Sequence, residues 1–192
     1  MWEELISRSQ EEKKFWRGIV ESGKRYEGAE SQFKELRSEN TMYLYEVVER
    51  NGWPSISECG EEVNEAAYSI ARASIQHPTE MKYFLAKLSD SSKKEESKPV
   101  HVAALSDNIK YYEGKPQVYG MWLEWNVSGE LYANVESIEV ANIKRKELGL
   151  PSVHAAIQAH LKELESNAGS KPKDIAAHNK MHRKWAESVG WS

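Results

Sequence analysis

Residues 101–126 read HVAALSDNIKYYEGKPQVYGMWLEWN, and the fold turns on whether this stretch is extended or helical. His101 to Leu105 is a short apolar run, Asn108 to Tyr112 ends in two aromatics, and Gln117 to Trp125 follows a Glu113-Gly114-Lys115-Pro116 sequence rich in turn formers. Read as extended, these are a buried strand, a second strand and a third, with the Gly-Lys-Pro stretch as a tight hairpin turn. Gly129-Glu130 makes another turn before LYANVES, which predicts three or four short antiparallel strands. The preceding SDSSKKEESKP, residues 89–99, has no large apolar residue and dense charge, and reads as a solvated connector.

Outward from this segment the period is helical. From Trp2 to about Ser38, apolar and aromatic residues alternate with charge at helical spacing and are interrupted near Gly23 and Gly28, which predicts two amphipathic helices. A third begins after Asn40-Thr41, side chains that suit an N-cap, and stops at Asn51-Gly52 before Pro54. Ser57 to Ile75 carries Val63, Ala66, Ala67, Ile70, Ala71 and Ser74 along one narrow stripe of small residues, the mark of a central helix approached closely by its neighbours. Thr79 to Leu88, Ile143 to Gly149 and Ser152 to about Ser166 complete the helices of the main body. The predicted fold is α+β: helices packed around a small antiparallel sheet of three or four strands. Residues 1–166 form one domain, and 167–192 a Gly/Ser/Pro linker with a basic C-terminal helical tail.

The chain has 192 residues and a formal net charge of −4, so it offers no general attraction to nucleic acid or acidic membranes. Weak nucleic-acid contact through Lys171, Lys173, Lys180, Arg183 and Lys184 of the tail is the local exception. No apolar stretch approaches a membrane span, and the charged start MWEELISRSQEEKKFW lacks the core of a signal peptide. A single cysteine, Cys59, excludes an intrachain disulfide and fits a reducing compartment, so a cytoplasmic location is expected.

Among residues that could carry chemistry, Gln76-His77 stands first. Pro78 disfavours helical geometry at His77, so the imidazole falls at the boundary of the central helix, where a histidine is stabilised as imidazolium by the dipole and suits acid/base work. Asp107, just past the apolar run, is placed to orient such a ring. Gln117 and Tyr119 share one face of the predicted third strand and could hold a carbonyl or a phosphate oxygen. Gln76, Trp53 and Lys115 complete the candidate substrate-binding set. His178 and His182 lie at i and i+4 but have neither an intervening glutamate nor a third ligand, so no metal is expected, nor any cofactor. Nucleophilic catalysis has no signal: G-x-S-x-G is absent and Cys59 has no identifiable activator.

Several of these pieces form an ordered set. Asn40-Thr41, Asn51-Gly52-Trp53-Pro54, Gly60, Gln76-His77, Ala104-Leu105-x-Asp107, Gly114-Lys115-Pro116-Gln117-x-Tyr119-Gly120 and Arg145-x-x-Leu148-Gly149-Leu150 resemble, in that order, an uncharacterised bacterial domain family, a domain of unknown function. The resemblance covers roughly residues 10 to 155. It departs at Asn108, where the family tends to have Arg, and at Met121-Trp122, where it has Thr-Gln. It implies domain extent and candidate positions but no reaction.

Two functional expectations follow. One is a small cofactor-free enzyme of hydrolase or transferase type, with His77 as general acid/base, Asp107 supporting it, and a small molecule or peptide as substrate. The other is a non-catalytic binding, immunity or adaptor protein that meets a protein partner through an aromatic surface around Trp53, Trp122 and Trp125.

Overall fold

The structure is a computed structural model that describes residues 1–24, 31–165 and 171–191. The break predicted near Gly28 and the first half of the predicted linker after 166 lie outside the described residues. The chain divides into two compact units, Met1–Gly18 with Ala29–Leu105, and Ile19–Gly28 with Ser106–Ser192.

The first unit is helical. It holds α1 (Trp2–Glu21) up to Gly18, α2 (Ser31–Asn51), α3 (Ile56–Cys59), α4 (Glu61–Ala73), α5 (Pro78–Ser92) and the start of α6 (Pro99–Tyr112). The small-residue stripe does what its spacing predicts: Val63, Ala66, Ala67, Ile70, Ala71 and Ser74 are all buried, and α4 packs against α2 and α5. Gly60, at φ 85°, ends α3 and begins α4, so the helix predicted over 57–75 is two.

Asn40 and Thr41 start no helix. They lie fully buried in the middle of a continuous α2. Asn40 accepts a hydrogen bond from Arg8 Nη1 at 3.2 Å, and Thr41 Oγ1 shares its one proton between Arg37 O at 2.8 Å and Ser74 Oγ at 2.9 Å. Side chains that would cap a terminus serve here as cross-links between helices, an outcome that sequence alone leaves open.

The α+β expectation is overturned. The chain is mostly helical, and the described strands are β1 (Leu123–Trp125) and β2 (Leu131–Ala133), a single antiparallel pair with Leu123 opposite Ala133. The first two predicted strands are together helix α6. Pro99 opens it, as proline favours the first helical position. Its residues 101, 103–105, 107–109 and 112 are buried, so the apolar period of an amphipathic helix is hidden. The predicted hairpin turn is the C-terminus of α6: Gly114, at φ 68°, donates to Tyr111 O at 3.1 Å, and Lys115 N to Lys110 O at 2.9 Å. The predicted solvated connector is in part the last turn of α5. Ser91 in that turn and Ser97 beyond it are buried, and Ser97 Oγ accepts from Asn64 Nδ2 at 2.7 Å.

In the second unit β2 packs on α8 (Val153–Glu165), which also meets α7 (Ile138–Glu147). Ala133, Ala141 and Val153 form its small core, with Leu123, Val135 and Ile157 against them. Helix α9 (Ile175–Ser188) is capped by Asp174, whose Oδ1 accepts from Ala177 N at 2.8 Å. Beyond α9, Trp191 is buried and stacks on Tyr112 at 5.4 Å between ring centroids.

Candidate functional site

His77 begins α5 rather than ending α4. The chain leaves α4 after Ala73, turns through Ile75 and Gln76, and enters α5 at Pro78, with His77 as the N-cap residue. His77 thus stands at the positive end of the α5 dipole, which does not stabilise an imidazolium as the C-terminal end of α4 would. Its side chain makes no capping bond and projects instead to α2, where Nε2 stands 2.5 Å from Ser38 Oγ. On the other side of the ring, Nδ1 is 3.9 Å from Glu80 Oε2, one turn into α5. That distance exceeds a hydrogen bond but lies within ion-pair reach of an imidazolium. The side chains of His77 and Glu80 are each 24% exposed.

Ser38 differs from three other hydroxyls of the first unit. Thr41, Ser74 and Ser89 each donate to the carbonyl four residues earlier, the usual bond of a hydroxyl inside a helix. Ser38 meets an imidazole. The result is a hydroxyl, an imidazole and a carboxylate in series, contributed by two helices of one unit. Sequence reasoning missed Ser38, because a serine in the charged run ELRSEN carries no signal of its own.

Asp107 lies in the second unit, with different partners. It is fully buried near the end of α6, and its carboxylate accepts three backbone N–H groups: Val118 at 2.8 Å, Tyr119 at 3.0 Å and Met121 at 3.0 Å. Burial raises its carboxyl above the ordinary aspartate value, and the three amides offset that only in part. From the other side Arg145, also buried, donates to Tyr119 O at 2.9 Å, Gly120 O at 3.2 Å and Pro151 O at 2.5 Å. Gln117 closes the same loop, donating to Trp122 O at 2.9 Å and accepting from Trp122 N at 2.8 Å. Gly120 adopts φ 61° where a Cβ would meet Ala133 Cβ at 3.0 Å. Asp107, Gln117, Tyr119, Gly120 and Arg145 thus converge on one folded loop. Its polar groups are spent on backbone.

The remaining predicted site residues divide between the units. Gln76 is half-buried in the turn before His77. Trp53 is 7% exposed, and its indole N–H has no partner among the described residues. Tyr119 is half-buried, and Lys115 pairs with Glu113 at 2.9 Å on the surface. A shallow groove of about 500 Å³ beside α9, lined by Val127, Gly129, Lys171 and Ile175 among others, contains none of the predicted catalytic or substrate-binding residues. Among the described residues no group of three or more His, Cys, Asp or Glu is placed to hold a metal ion, and no helix is long and apolar enough to cross a membrane.

The aromatic surface is smaller than its composition suggests. Trp53 is buried, Trp122 and Trp125 are half-buried, and Trp122 stacks on Tyr111 at 5.7 Å. Two of the tail's basic groups are engaged inside the second unit: Lys171 donates to Gly129 O and Arg183 to Tyr112 O. Comparison with protein-family models, with curated proteins and with solved structures finds no match to this chain.

Proposed function

We propose that the protein is a small enzyme of hydrolase or transferase type that works with side chains alone, with His77 as its general acid/base. The observation that carries this reading is the 2.5 Å approach of Ser38 Oγ to His77 Nε2 at a partly exposed position. A base in hydrogen-bond contact with a hydroxyl, with a carboxylate behind it, is the arrangement that proton transfer needs. With its proton on Nδ1, neutral His77 offers Nε2 as the acceptor. When Nε2 takes up a proton, the ring becomes a cation facing Glu80, which stabilises it.

The supporting carboxylate in this reading is Glu80 rather than Asp107, whose three amide bonds commit it to the loop at 117–121. Solvent limits what Glu80 contributes, since an exposed pair at this distance is weak. Replacing His77 with alanine is expected to lower hydrolysis of an activated ester by about a hundredfold, the lower end of what a positioned base supplies. The same variant should keep a melting temperature close to that of the parent. Equal turnover with a large fall in melting temperature would assign His77 to holding α5 against α2.

A further inference from the structure

We infer that Ser38 is a nucleophile, and that the substrates are carboxylic esters or thioesters whose acyl group passes through a covalent intermediate on Ser38 Oγ. The inference rests on the reading of His77 as the base. Its ground is the identity of the atom that His77 meets. A general base acting on water alone needs no hydroxyl against Nε2, yet Ser38 holds that place and makes none of the i−4 carbonyl bonds of its neighbours.

In the forward half-reaction Ser38 Oγ forms a bond to the acyl carbon while its proton moves to His77 Nε2. The carbonyl π electrons go onto oxygen, and collapse of the tetrahedral adduct expels the alkoxide or thiolate, which takes the proton from Nε2. Water then adds to the acyl carbon and passes a proton to Nε2. Collapse expels Ser38 Oγ, which recovers that proton, and a carboxylic acid leaves. Oxidant and reductant are not needed.

Negative charge on the acyl oxygen needs donors. His77 is the N-cap of the 15-residue α5, Pro78 has no N–H, and the amides of Thr79 and Glu80 fall in the first turn, where a helix offers no internal acceptor. The class of leaving group follows from Glu80. A carboxylate 3.9 Å from the ring and partly exposed supports the imidazolium only modestly, which favours leaving groups that need little protonation, phenolates and thiolates, over the amines of peptides. Its charge also disfavours anionic acyl groups.

The test uses the full chain with 4-nitrophenyl acetate and with an alkyl fluorophosphonate, which forms an O–P bond to an activated serine as fluoride departs. The inference predicts a burst of nitrophenolate, and mass mapping that places the acetyl or phosphonyl group on Ser38. Both signals should disappear in Ser38→Ala and His77→Ala, and thermal melts of the variants check that they fold. The wild-type mapping stands independently of any variant. A label on another residue, or hydrolysis that survives in Ser38→Ala but is lost in His77→Ala, overturns the nucleophile and leaves the base. Hydrolysis that survives in both variants, or no turnover and no label in the parent, overturns both.

Discussion

Replacing Asp107 with alanine is expected to destabilise the second unit by about 3–5 kcal/mol, enough to consume much of the stability of a protein this size. The carboxylate is completely buried and satisfies the N–H groups of Val118, Tyr119 and Met121. Without it these donors lose their acceptors, and an orphaned buried donor costs about 1–3 kcal/mol. The loop has no second support for them, because Gln117 and Arg145 already hold its other groups. Asp107→Asn should fall between parent and alanine, since one carbonyl oxygen remains while the new NH2 faces N–H donors. Chemical denaturation reads the difference directly. Stability unchanged alongside lost turnover would instead mark Asp107 as a catalytic support.

Acidification should weaken the second unit through His182. This imidazole sits among Tyr111, Tyr112 and Trp185, with centroid distances of 5.1, 5.4 and 6.0 Å, and with His178 and Arg183 on its own helix. Burial first, then the His178 and Arg183 charges, push it down from 6.5 to about 4. A folded value below the unfolded one means that the unfolded chain binds the proton more readily. The stabilisation is therefore complete above pH 6.5 and is lost as pH falls toward 4, by about 3 kcal/mol between pH 7 and pH 4. Burial lowers His101 and His178 in the same direction, whereas it raises Glu12, Asp107 and Glu124, whose linkage has the opposite sign. The His182 share is isolated by denaturing the parent and His182→Phe at both pH values. The gap between them should change by about 3 kcal/mol in favour of the variant on acidification. A gap independent of pH would show that His182 takes up its proton without cost.

How much of this was legible beforehand depended on how each residue spends its side chain. The stripe from Val63 to Ser74 was readable because α4 buries one face only, so its period shows. Helix α6 was not, because it is buried over most of its circumference and its apolar run is indistinguishable from a covered strand. Asn40-Thr41 looked like a cap because caps and buried inter-helix ties use the same polar atoms. His77 was visible through Pro78, which fixes a boundary whichever helix lies beyond it. Its partner was not visible, since nothing local distinguishes Ser38 from any other serine on a charged helix face. Contact at a separation of 39 residues is a product of packing. Asp107, Gln117, Tyr119-Gly120 and Arg145 stood out in the sequence, and the structure brings them to one loop closed from three sides.

The central claim is that the Ser38 hydroxyl donates to a neutral His77 whose Nε2 is bare. Heteronuclear NMR of the imidazole nitrogens in isotope-labelled protein, at a pH where imidazole is neutral, reads the tautomer. The account predicts His77 with its proton on Nδ1, and a change in the Nε2 resonance on Ser38→Ala that spares the other histidines. A His77 protonated on Nε2, donating to Ser38 Oγ, would contradict it, since a ring that donates to the serine cannot take its proton.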